Sequence, residues 1–159
     1  MTSPTTYLWK GTDQDSAVRR VLKEWEGTPW RDAISVGVPG GQANCWTFVA
    51  GVLCALEGRD RIKLPALHAQ ALLHRTGEVE EAMRELFGHF QYEKHKVGSV
   101  LNAVNSADVL VTYDGHALLA GTRPNTVWHS DARRPVCMAS VNDFAVSKIY
   151  KITNREDWC

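Results

Sequence analysis

Three side chains of this sequence could together carry nucleophilic chemistry: a cysteine at position 45 and histidines at 116 and 129. A thiol attacks carbonyl carbon only after it loses its proton. A helix N-terminus eases that loss, because its free N–H groups favour negative charge, and a neighbouring imidazole can take the proton and later return it. Asn44 is a good N-cap, and Cys45 opens an apolar run that reaches Glu57 and stops at Gly58. The pattern predicts a helix whose first residue is the thiol. Backbone N–H groups at the same helix start could also hold an oxyanion. The competing reading is inert packing, since cysteine is among the most buried residue types. Cys54, inside the helix and away from its start, fits that description.

The six histidines are not equivalent. His68 and His74 fall among Ala and Leu on a predicted helix, and His89 and His95 flank Phe90 and Tyr92 without a partner pattern. His116 follows a predicted strand at 108–113 and an Asp114-Gly115 turn, and it opens the next strand. His129 closes the strand after that, in Val127-Trp128-His129-Ser130. Neighbouring antiparallel strands bring such residues side by side. Neither a CxxC nor a CxxxH cluster is present, so neither a metal site nor a cofactor is expected. Cys45 and Cys54, nine positions apart on one helix, point to opposite sides and should not pair.

The elements that must position these groups read as helices first and strands afterwards. Val18, Val21, Leu22 and Trp25 form one stripe of a helix over 13–26, capped by Asp13 or Asp15 and ended by Gly27. A turn-rich loop covers 28–43, and two further short helices are predicted at 65–75 and 77–88. Strands are predicted at 108–113, 116–121, 126–129, 136–141 and 146–152. This is an α+β plan with an antiparallel sheet. The 159 residues suit one domain, with 1–12 as an N-terminal extension and 59–105 as a helical insertion.

A formal net charge of zero gives no electrostatic surplus for nucleic acid. No apolar stretch is long enough to insert across a bilayer. The N-terminus lacks the basic start and apolar run of a secretory leader, so synthesis in a cytoplasm without a signal peptide is expected.

Five segments in order resemble the NlpC/P60 family of papain-like cysteine peptidases, over most of residues 14–152. They are Gly27-Thr28-Pro29-Trp30-Arg31, Gly40-Gly41-Gln42-Ala43-Asn44-Cys45-Trp46-Thr47-Phe48-Val49, Ser106-Ala107-Asp108-Val109-Leu110-Val111, Gly115-His116-Ala117-Leu118-Leu119 and Val127-Trp128-His129-Ser130. The resemblance implies a papain-like α+β fold and peptidase activity on the peptides of bacterial peptidoglycan. It implies that Cys45 attacks, that His116 moves the proton, and that His129 holds the far nitrogen of His116. Trp30 stands where the family often has a tyrosine. Asn44 replaces its aspartate, and Trp46-Thr47 replaces Ser-Gly. Trp30, Asn44 and Trp46 are the implied substrate-binding residues. The long 59–105 segment is similar to that of peptidases encoded with phage tail genes, which implies tail-tip proteins as partners and the virion as a location. Asn44-Cys45-x-x-Phe48-Val49 also resembles the lecithin:retinol acyltransferase group, whose histidine precedes its cysteine. Three functions stay open: a cell-wall cysteine peptidase, a structural tail module with a retired or narrowed site, and a thioester-forming acyltransferase or amidase.

Overall fold

The apolar stripe of the first helix and the apolar run behind Asn44 fold as expected in the computed structural model, which describes residues 5–32, 34–64, 76–98, 101–156 and 158. Strand β1 spans Tyr7–Lys10, helix α1 Asp15–Trp25, helix α2 Cys45–Glu57 and helix α3 Thr76–Phe87. Seven strands follow: β2 Tyr92–Lys96, β3 Asn102–Asn105, β4 Val109–Thr112, β5 Ala117–Ala120, β6 Thr126–Asp131, β7 Arg134–Ser140 and β8 Val146–Ile152. A single 3-10 turn, Val141–Asp143, joins the last two. The predicted helix at 65–75 lies outside the described residues, as do His68 and His74.

Six strands form one antiparallel sheet in the order β2-β8-β4-β5-β6-β7. Helix α2 lies on β5 and β6, and α1 packs on α2. Val18, Leu22, Trp25, Phe48, Val52 and Leu119 belong to the apolar core between helices and sheet. Burial of such side chains contributes about 1.5–3 kcal/mol each. The close approach of α1 to α2 depends on Gly51, where an added Cβ would stand 2.3 Å from Cζ2 of Trp25.

The other face of the sheet carries a second core of Val104, Leu110, Leu118, Val127, Val141 and Ile149. Tyr7 and Trp9 pack against it, and the Trp9 indole donates to Gly121 O at 2.8 Å. Residues 7–10 thus form a strand, β1, which pairs in parallel with β3. Both strands were unforeseen in the sequence, as was β2 at the edge of the large sheet. The 59–105 segment therefore holds α3, β2 and β3 among its described residues, and is not helical throughout.

Neither Asp13 nor Asp15 caps α1. Its N-cap is Gln14, without a side-chain cap. The Asp15 carboxylate instead accepts the hydroxyls of Thr12 and of distant Ser106, at 3.1 and 2.6 Å.

Candidate active site

Asn44 caps α2, and Cys45 is the helix's first residue. The cap is reciprocal. Asn44 Oδ1 accepts the Thr47 N–H at 2.9 Å, and Thr47 Oγ1 accepts the Asn44 N–H at 2.8 Å. This capping box fixes where the helix begins, and hence where the thiol stands relative to the free N–H groups. The backbone N–H groups of Ala117, Trp46 and Cys45 itself lie near enough to the Cys45 sulfur to favour its thiolate. Ala117 opens β5, directly after His116, so the thiol meets the histidine-bearing turn.

The turn itself is well held. Gly115 has φ +86°, a left-handed conformation suited to glycine. Thr112 Oγ1 accepts the His116 N–H at 3.0 Å and donates to the Asp114 carboxylate. Strands β5 and β6 are neighbours, with Leu119 opposite Trp128 and Ala120 opposite Val127. Carried past the end of β5, this register sets His116 beside the 129–131 stretch.

His116 Nε2 and His129 Nδ1 stand 3.0 Å apart, with the two rings perpendicular. Phe144 lies over both. Its ring stacks on His116 at 5.9 Å and meets His129 edge-on at 5.0 Å. Asp131 adds a carboxylate 4.0 Å from His129 Nδ1. His116, Asp131 and Phe144 also line a cleft of about 550 Å³, with Tyr113, Asp114 and Arg133.

Burial sets the protonation of these groups. It pushes the Cys45 thiol up to about 11, against the three N–H donors, which favour the thiolate. Burial also pulls His116 down to about 4, and the adjoining His129 adds to that. His129 is lowered by its own burial, while Asp131 works in the opposite direction. At neutral pH the resting site therefore holds a neutral thiol and neutral imidazoles. Cys45 is 1% exposed and His129 1% exposed.

Of the three residues implied as substrate contacts, two are used internally. Asn44 is buried and serves the capping box. Trp46 is 1% exposed, and its indole donates to Gly115 O at 3.2 Å. It ties the thiol's helix to the histidine's turn, where the resemblance implied a substrate contact. Trp30 is half-buried. Its backbone pairs with Ala43, two residues before Cys45, and its Nε1 is enclosed without a hydrogen-bond partner among the described residues. Sequence reasoning passed over Asp131 and Phe144. Asp131 had a readable signal, because residues two apart on a strand share a face and His129 was already in view. Phe144 follows a 3-10 turn and carried none.

Among the described residues no group of three or more His, Cys, Asp or Glu could hold a metal ion, and no helix is long and apolar enough to cross a membrane. No protein-family model matches the chain, and no curated protein matches it in sequence. Among solved structures, the chain is similar to the crystal structure of the NlpC/p60 domain of peptidoglycan hydrolase SagA. The TM-score is 0.55 at 16% sequence identity, over 87% of this chain and 97% of that one. At that identity the likeness speaks for the architecture. The α+β arrangement seen here, with helices packed on an antiparallel sheet, is the NlpC/P60 fold.

Proposed function

We propose that this protein is a cysteine peptidase that hydrolyses peptide bonds of bacterial peptidoglycan. The observation that carries the reading is the 3.0 Å contact of His116 Nε2 with His129 Nδ1, beside the strand start whose Ala117 N–H reaches the Cys45 thiol. With the shared hydrogen on His116 Nε2, its Nδ1 is free to act as base. His116 takes the thiol proton as Cys45 attacks the carbonyl carbon. The N–H groups at the start of α2 offer donors for the oxyanion. His116 then gives its proton to the leaving amine. Water, deprotonated by the same ring, cleaves the thioester and returns the thiol. The peptidoglycan substrate is taken from the SagA domain, a peptidoglycan hydrolase of like fold.

Cleavage of isolated cell-wall peptides, followed by mass spectrometry, tests the reading. Cys45→Ala should abolish it, and equal turnover by the two proteins sinks the proposal. Attachment to a phage tail tip is the narrower form of the reading, and copurification with tail proteins from purified virions checks it.

One observation favours a second reading, a binding module with a retired site: the thiol is 1% exposed and held neutral. In that case iodoacetamide at neutral pH leaves Cys45 unlabelled even with wall peptide present. Labelling that Cys45→Ala removes speaks for the peptidase.

A further inference from the structure

The acid made by the thiol's proton has to be held somewhere, and the two rings alone do not hold it well. His116 and His129 stand with Nε2 and Nδ1 3.0 Å apart, so a single hydrogen lies between them in the neutral pair. When Cys45 gives its proton to His116 Nδ1, the S–H bond breaks and an N–H bond forms. The hydrogen on His116 Nε2 can then pass to His129 Nδ1. The products are a thiolate on Cys45 and one positive charge shared by the two rings, with no electron transferred to any other group. Both rings are packed against Phe144, and a buried cation is costly unless a partner offsets it.

Asp131 occupies the position of such a partner. Its Oδ1 accepts the Arg133 N–H at 2.9 Å, which fixes the carboxylate in the turn after β6. Its Oδ2 stands 4.0 Å from His129 Nδ1, the nitrogen on which the relayed hydrogen would arrive. The other ring nitrogen, His129 Nε2, is enclosed with no hydrogen-bond partner among the described residues, so the ring meets polar groups on its Nδ1 side. At 4.0 Å the carboxylate is too far to accept a hydrogen bond, and close enough to favour a cation. We infer that Asp131 is a positioning residue of this site, whose carboxylate stabilises the cation formed on the His116–His129 pair when the thiol is deprotonated. The inference rests on the peptidase reading for its use of the thiol.

Other charges face the pair and are part of the balance. Asp114, from the turn before His116, adds negative charge near that ring, and Arg134 of β7 opposes Asp131 at His129. Asp143 of the 3-10 turn and Arg133 line the same cleft, and Cys45 faces the site from α2. Asp131 is distinguished by standing beside the nitrogen that the relay reaches.

Histidine ring titration by nuclear magnetic resonance in Asp131→Asn tests this on the full chain. Asparagine keeps an oxygen for the Arg133 N–H, so the turn is retained while the charge is lost. The pKa of the pair should fall by about one unit, so that well above it the protonated fraction drops about tenfold. The acid limb of kcat/KM on wall peptide should move to lower pH in parallel, and Asp131→Glu should recover part of both shifts. An unmoved ring titration in Asp131→Asn overturns the inference, whatever happens to turnover. If that variant does not fold, Asp131→Ser, whose hydroxyl can also accept the Arg133 N–H, decides the matter by the same titration. The titration needs no substrate. A Cys45→Ala protein that cleaves as well as the parent therefore sinks the peptidase reading separately, and the charge coupling stands or falls on the titration alone.

Discussion

The neutral resting state of the site makes its residues stability elements as well as candidate chemical groups. His116 is pulled down to about 4 from an ordinary 6.5. An unfolded chain takes up that proton at 6.5 while the folded chain refuses it until about 4, so stability present above 6.5 is lost as pH falls through this window. His129, lowered as well, acts in the same direction. Thermal unfolding followed from pH 7 downward should show the midpoint dropping between those values, and His116→Ala should drop less steeply. On the alkaline side the sign is set by the thiol. Cys45 keeps its proton to about 11 against an ordinary 9.0, so stability is lost as pH rises from 9 towards 11. Cys45→Ala should flatten that limb in the same measurement.

Among the elements, α2 both supports the fold and aims the thiol. Asn44→Ala removes one half of the capping box and should cost about 1 kcal/mol in urea unfolding. Gly51→Ala places a methyl group 2.3 Å from the Trp25 ring, and the overpacking should cost about 1–3 kcal/mol by the same assay. Helix α2 was legible because cap, apolar run and stop glycine agree at 44, 45–57 and 58. Strand β8 was read to the residue, since its alternating pattern lies between β2 and β4 with no tertiary surprise. Strand β2 was not, because an edge strand of Tyr92-Glu93-Lys94-His95-Lys96 is exposed at every position and carries no apolar signal. Strand β3 offers one buried side chain, Val104, in four residues, too few for a period. The carboxylate of Asp15 was read as a local cap, yet it is engaged by Ser106, 91 positions away. Trp46, where the resemblance implies a substrate contact, donates instead to Gly115 O, an acceptor that only tertiary placement brings near.

At the scale of the whole molecule, the sheet is tied to the chain's last described segment through Asp108. That carboxylate is fully buried and accepts from Arg155 at 2.6 Å, from Lys151 at 2.8 Å and from the Asn105 N–H at 2.8 Å. Removing the carboxylate leaves two partly buried cations without their partner. Asp108→Ala should therefore destabilise by about 3 kcal/mol in urea unfolding, with the far-ultraviolet circular dichroism of the folded protein unchanged. The indole of Trp46 makes a different kind of tie, because its acceptor Gly115 lies 69 residues further along the chain. A closure of that length is late and slow compared with the winding of a helix. On the ribosome, α2 emerges long before the segment that supplies Ala117 and His116. Throughout that interval Cys45 is an ordinary solvent-facing thiol with no base and no third N–H donor. Its protection from a small alkylating agent should therefore appear only when β5 docks on α2, so the residue read as the nucleophile also serves as a clock for the completion of the sheet.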